Sequence, residues 1–357
     1  MKIGILTFHN ERNYGAFLQT YALYKHVKSL GHEPEIIDFN LEETFHHSIG
    51  VRLFRPLIDK YIWNSAMSSF LTLSELRYTA ANRHVLKSGE YDLYILGSDQ
   101  VWNPDITKDS FLTYVFDFLD EGVPRISYAS SFGLNTWPFN ENDTSSFNFF
   151  LRRFNALAVR EPSAQSLLED NTGLRSTVVV DPTLLLSNYQ EIIGSDITQV
   201  PKRLVCFKFT KDDGFYEFLR SFKKKFSLDA IVLNKTIPPY GIKVVSLPTI
   251  RKWLKSLASA EYIFTDSYHG LIFALVFKKK VIVKPANIKN FGRLKDLMQV
   301  LQLENRIYYN YNDVLNDDNW KNEIDYDGVY KILNPMIEDS KNYLNTEINI
   351  CEKTLDR

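Results

Sequence analysis

The chain alternates short apolar runs of strand length with longer runs of helical spacing, and this alternation constrains its fold more than any other feature. Lys2–Phe8 opens the series as a strand candidate. Tyr14–Leu30 follows, with Phe17, Leu18, Tyr21, Ala22, Val27 and Leu30 at helical spacing and Gly31 as a C-cap. Glu35–Phe39, Asp92–Gly97, Arg125–Ser130, Ala156–Val159 and Thr177–Val180 continue as buried-strand candidates. A second series follows, with strand candidates at Leu204–Phe209, Ala230–Leu233, Lys243–Leu247, Tyr262–Phe264 and Val281–Val283. Helical stretches lie between them at Gly214–Phe226, Thr249–Ser259, His269–Phe277 and Phe291–Leu301. Such alternation predicts an α/β fold with mostly parallel sheets and helices on both faces.

A chain of 357 residues exceeds one comfortable core, and the polar stretch Leu186–Pro201 separates the two series. We therefore expect two Rossmann-like α/β domains, residues 1–187 and 188–357, facing each other across a cleft. The C-terminal apolar positions from Val329 to Leu344 suggest amphipathic helices that pack back on the first domain. A cleft between two such domains is a favoured small-molecule site. An insertion at 41–91 carries Phe54, Leu57, Ile58, Tyr61, Ile62, Trp63, Met67, Phe70 and Leu71. It reads as amphipathic helices that cap the core or, with Arg52, Arg55 and Lys60, meet a lipid-linked substrate.

Composition excludes several classes. A net charge of −1 gives no whole-molecule attraction to nucleic acid. Cys206 and Cys351 make neither a disulfide framework nor a zinc site, and no His-x-x-x-His or HEXXH pattern occurs. Neither a metal nor another cofactor is expected. No apolar run approaches the roughly 20 residues that span a bilayer. Met1–Phe8 reads as a strand rather than a signal peptide. These features fit a reducing cytoplasmic setting, with a peripheral contact at the inner face of the membrane left open.

Ligands of open α/β sheets bind at the carboxyl ends of strands. The richest such end is Thr265-Asp-Ser-Tyr-His-Gly270, which brings Asp266, Ser267 and His269 to a helix start. His269 stands apart from the other six histidines, all at or before His84, and imidazole changes charge near neutral pH. Phe8–Ala16 opens the first helix, where free N–H groups hold an anion or Asn13 serves only as the cap. No Gly-x-Gly-x-x-Gly or Walker pattern is present there, so a dinucleotide or P-loop reading fails. Gly97–Pro104 offers Ser98, Asp99 and Gln100 to a hydroxyl-rich ligand and Trp102 to a sugar ring; the rival is a self-bonded turn. Arg160 follows a strand, and its planar fork suits a carboxylate or phosphate; the rival is a surface pair with Glu161. Lys278–Lys280 reads as a solvated turn, whereas Lys289 and Arg293 are better anion ligands. Asp266 lacks an Asp-x-Asp partner, which argues against a metal-dependent sugar-nucleotide transferase.

Taken together, six segments resemble the polysaccharide pyruvyl transferase family in content and order. They are Asn13-Tyr-Gly15, Gly97-Ser-Asp-Gln-Val-Trp102, Tyr128-Ala-Ser-Ser-Phe-Gly133, Val159-Arg160 with Ser163, Val180-Asp-Pro-Thr-Leu184 and Thr265-Asp-Ser-Tyr-His-Gly270. The resemblance implies a fold similar to two-domain GT-B glycosyltransferases, with the active site in the cleft. It implies transfer of pyruvate from phosphoenolpyruvate to two hydroxyls of a sugar, giving a cyclic ketal in cell-surface, capsular or exopolysaccharide biosynthesis. It further implies that Arg160 binds the donor and that His269 holds the phosphate or donates a proton. Lys289 and Arg293 would add positive charge, and Asn13, Gln19, Ser98, Asp99 and Gln100 would face a free or lipid-linked sugar acceptor. Asp266 and Asp99 are candidates for the base. Two rivals stand beside this reading: a GT-B glycosyltransferase using a nucleotide sugar, and a non-catalytic carbohydrate-binding member of the same fold.

Overall fold

The computed structural model describes residues 1–41, 59–209, 214–233, 240–286 and 291–355. The chain divides into two compact units, Met1–Leu186 with Asn334–Arg357, and Ser187–Leu333.

In the first unit, β1 (Lys2–Leu6), β2 (Glu33–Ile36), β3 (Leu93–Leu96) and β4 (Arg125–Ser127) form a parallel sheet in the order β2-β1-β3-β4. Bridges Ile126↔Ala156 and Ser130↔Val159 extend it to β5 (Ala158–Val159), which pairs with β6 (Thr177–Val178). Only the last two residues of the expected Ala156–Val159 strand are regular; Ala156 makes a single bridge, to Ile126. The registers Leu6↔Leu96 and Leu96↔Ser127 align the carboxyl ends along one edge.

The helix Tyr14–Ser29 is buried over most of its surface. Ring pairs Tyr14–Trp63 at 5.1 Å and Tyr21–Phe70 at 5.7 Å explain why. The described part of the 41–91 insertion thus covers this helix, burying Ile62, Trp63 and Met67 and leaving Tyr61 exposed. Arg52, Phe54, Arg55, Leu57, Ile58 and the Lys60 side chain lie outside the described residues.

In the second unit, five parallel strands run in the order β11-β10-β7-β8-β9. They are β7 (Arg203–Phe207), β8 (Asp229–Leu233), β9 (Lys243–Val245), β10 (Tyr262–Thr265) and β11 (Lys280–Val283). The helix Phe215–Phe226 buries Phe215, Phe218, Leu219 and Phe222, one stripe at helical spacing, against β7, β8 and β10. Arg220 and Lys224 take the solvent side. The registers Thr265↔Phe207 and Thr265↔Val283 bring the ends of β7, β10 and β11 together on one edge.

The C-terminal apolar pattern belongs to a single helix, Tyr326–Leu355, that contains Pro335. Its residues to Leu333 group with the second unit and those from Asn334 with the first. No helix among the described residues is long and apolar enough to cross a membrane.

Candidate active site

At the carboxyl edge of the first unit, buried side chains lock the loops to one another. Thr7 Oγ1 donates to Ser98 O at 2.9 Å. Gln19 Nε2 donates to Thr7 Oγ1 (2.9 Å) and Phe8 O (3.1 Å), while Gln19 Oε1 accepts from Ser98 N (3.2 Å) and Ser98 Oγ (2.7 Å). Gln19 and Ser98 have no exposed surface, so they fasten the loops after β1 and β3. Gly97 sits at φ 117, and a Cβ there would lie 2.2 Å from Tyr128 O. The turn therefore requires glycine.

His9 Nε2 lies 2.9 Å from Asp38 Oδ1, and its Nδ1 lies 3.3 Å from Thr7 O. Asp38 also accepts from Arg77 Nε at 2.9 Å and from Asn40 Nδ2 at 2.5 Å. Burial alone would raise the Asp38 carboxyl, but His9 and Arg77 outweigh it and bring it down to about 2. Desolvation raises the Glu11 carboxyl against the pull of His9, and Asp99 adds to the rise; the residue still exposes surface. Asn13 caps the first helix, accepting from Gly15 N at 2.9 Å, and Asn13 and Gln100 keep part of their surface.

The Arg160 side chain is fully buried among three carboxylates: Asp181 Oδ2 at 3.1 Å, Asp99 Oδ1 at 3.5 Å and Glu161 Oε2 at 3.5 Å. Ser131 Oγ donates to Glu161 and accepts from Gly133 N at 2.9 Å. Asp181 in turn accepts from Thr183 N at 3.0 Å and Thr183 Oγ1 at 2.6 Å. The guanidinium thus ties together the exits of β3, β5 and β6. Three carboxylates thus surround the guanidinium that the sequence offers as a donor ligand. Trp102 also differs from expectation. It is fully buried, donates to Tyr114 O at 3.2 Å and packs on Phe132 and Phe147, so it is a core residue.

At the carboxyl edge of the second unit, Thr265 Oγ1 donates to Phe207 O at 2.8 Å and accepts from Ser267 N at 3.0 Å. Ser267 caps the helix Tyr268–Val276, its Oγ accepting from Gly270 N at 3.3 Å. A Cβ on Gly270 would fall 2.2 Å from Thr265 Oγ1, which explains the glycine in the motif. His269 is buried in the first turn of this helix, edge-on to Tyr268 at 5.6 Å. The Arg293 guanidinium lies over the Tyr268 ring at 5.8 Å, so the structure brings Arg293 to this motif. Lys289 lies outside the described residues.

Asp266 Oδ1 accepts from Phe209 N at 2.8 Å, and Oδ2 lies 3.7 Å from Lys208 Nζ. Asp266 is thus tied to the exit of β7. Lys208 was hidden inside the apolar run Leu204–Phe209. Its side chain is 1% exposed, its Nζ donates to Tyr311 Oη at 3.3 Å, and the Phe215 and Phe264 rings flank it. A lysine within an apolar strand run was the available signal, since lysine is almost never fully buried unless paired. Lys284 follows β11; its backbone N donates to Thr265 O at 3.0 Å and its Nζ stands 4.5 Å from the Tyr311 ring centre.

The lysine triplet sits at the opposite, amino edge of this sheet and is not simply a solvated turn. Lys279 is buried, donates to Gln199 Oε1 at 2.5 Å, and is lowered by burial to about 8. Lys280 bonds Glu261 at 3.3 Å and Glu323 at 2.6 Å.

Two parallel α/β units with polar loops at their strand ends define a two-domain, Rossmann-like protein. The structure is similar to UDP-GlcNAc 2-epimerase from Neisseria meningitidis bound to UDP-GlcNAc, with a TM-score of 0.58 and 9% identity, covering 98% of this chain and 99% of that one. It is also similar to Arabidopsis thaliana UGT89C1, with a TM-score of 0.57 and 9% identity, covering 98% of each chain. At such identity these likenesses show the fold alone, which is that of GT-B glycosyltransferases and epimerases. No curated protein matches the chain at a significant level. Residues 13–284 match the polysaccharide pyruvyl transferase family, and the chain belongs to that family.

Proposed function

We propose that the protein transfers pyruvate from phosphoenolpyruvate to two hydroxyls of a sugar, forming a cyclic ketal and releasing inorganic phosphate. The observation that carries this reading is the family match over residues 13–284, with His269 buried at the carboxyl edge of the second unit and Arg293 lying over the neighbouring Tyr268 ring. Phosphoenolpyruvate joins a carboxylate to a phosphate and so requires fixed cations.

In the first step a sugar hydroxyl oxygen bonds to C2, its proton passes to a base, and C3 gains a proton to become a methyl group. In the second, the C2–O bond to phosphate breaks and the second hydroxyl closes the ketal, losing its proton. His269 serves as proton donor or phosphate ligand. Asp266 supports the motif through Phe209 N and Lys208, and Ser267 caps its helix. On the first unit, Gln19, Ser98 and Arg160 hold the loops that present Asn13, Asp99 and Gln100 to the acceptor. The acceptor is a free or lipid-linked sugar of a cell-surface polysaccharide, met in the cytoplasm or at the inner membrane face.

Phosphate release from phosphoenolpyruvate in the presence of a glycan acceptor tests the reading. Consumption of a nucleotide sugar, with phosphoenolpyruvate left intact, would overturn it.

A further inference from the structure

Outside the residues already assigned, the carboxyl edge of the second unit contains a contact chain that starts at the Asp266 carboxylate. Asp266 Oδ2 meets Lys208 Nζ at 3.7 Å, Lys208 Nζ donates to Tyr311 Oη at 3.3 Å, and the Tyr311 ring carries Lys284 Nζ at 4.5 Å. Lys208 and Lys284 leave β7 and β11, the two strands that flank β10, and β10 delivers the His269 motif. Lys208 is sealed from solvent, whereas Lys284 keeps part of its surface. Tyr311 is fixed on both sides: its ring stacks on Phe218 at 4.5 Å, and its hydroxyl takes the Lys208 bond. The aromatic face therefore holds the Lys284 ammonium at the strand end before any ligand arrives, which lowers the ordering cost of binding.

We infer that Lys284 is the phosphate ligand at this edge, and that Tyr311 and Lys208 are the residues that position it. The assignment of the anion as phosphoenolpyruvate rests on the function proposed above. A positively charged phosphate site does not depend on that reading.

The test measures binding of phosphoenolpyruvate and of inorganic phosphate to the full chain, together with KM and kcat. Lys284→Gln should weaken both ligands by about tenfold to a hundredfold, the range for losing a charged hydrogen bond. Tyr311→Leu should raise the KM for phosphoenolpyruvate while leaving kcat within about twofold, as expected when only ground-state binding is lost. Lys284→Arg should restore most of the affinity, which separates lost charge from a failed fold. Lys278→Gln, at the amino edge of the same sheet, should change neither ligand. If the wild type turns over phosphoenolpyruvate and Lys284→Gln keeps its KM and its phosphate affinity, this inference is wrong and the function stands. If the wild type turns over no phosphoenolpyruvate yet binds phosphate in a Lys284-dependent way, the function is wrong and the site stands.

Discussion

The two units carry opposite net charge. Residues 187–333 carry 23 Lys and Arg against 16 Asp and Glu, a net of +7, while the rest of the chain carries 19 against 27, a net of −8. The whole-chain value of −1 hides this division. The same contrast holds at the strand ends. In the first unit one guanidinium, Arg160, faces three carboxylates. In the second, among the described residues, Asp266 lies at an edge that carries Lys208, Lys284 and Arg293. An anionic donor suits the second edge. Under the proposed function the first edge, rich in hydrogen-bond acceptors, takes the neutral hydroxylated ligand. Arg160 and Lys208 are both buried in ion-pair contacts, and a strut should fail differently from a ligand.

The largest effect should come from the cationic edge. His269→Ala should lower turnover by about a hundredfold or more, the low end for a general acid. Steady-state assays that returned near wild-type turnover would remove His269 from the chemistry. Next comes the acidic edge. Arg160→Met leaves three buried carboxylates without their cation, at a cost of about 3–5 kcal/mol. Thermal unfolding should then fall by roughly 10 °C, at about 2–4 °C per kcal/mol for a unit of this size. A folded Arg160→Met protein with wild-type melting and only a raised donor KM would restore the ligand role.

The amino edge of the second unit provides a smaller contrast, a buried lysine at the far end of the sheet from the strand-end motifs. Lys279 titrates at about 8 when folded against 10.5 for the ordinary lysine, so between these values the unfolded chain holds a proton that the folded chain lacks. Stability should therefore rise with pH across that window. Lys279→Met should flatten this rise and stabilise the protein at pH 7, as followed by urea unfolding.

The smallest effect belongs to the first unit. His26 Nε2 is buried with no hydrogen-bond partner among the described residues, and its pKa is lowered by burial, then by Lys341, against Glu338. Below the ordinary histidine value of 6.5 the unfolded chain takes up a proton that the folded chain resists, so stability drops on acidification. His26→Gln should lessen that drop, and an unchanged acid limb would place its source elsewhere.

Much of this was legible in the sequence. Alternation gave the parallel sheets, because a parallel pair needs a crossover and helices supply it. The six motifs point to the family, and the Thr265–Gly270 turn reads as a strand end that opens a helix. What the sequence hid was partnership. Arg160 looked available because its three carboxylates come from positions 99, 161 and 181, and only the sheet order assembles them. Lys208 looked like part of a strand because an apolar run masks one polar residue at its end. Tyr311 lies beyond every motif and more than 25 residues after Lys284, so no spacing rule connects them. Trp102 was read as a sugar platform because an indole beside polar residues suits either role, and only burial decides.

Mass spectrometry of a glycan acceptor incubated with isotopically labelled phosphoenolpyruvate tests the central claim most directly. The account predicts that the label enters the glycan as a pyruvate ketal bridging two hydroxyls, with one phosphate released per ketal and both products cut by about a hundredfold or more in His269→Ala. An unlabelled glycan alongside intact phosphoenolpyruvate, across acceptors that other members of the family convert, would contradict it.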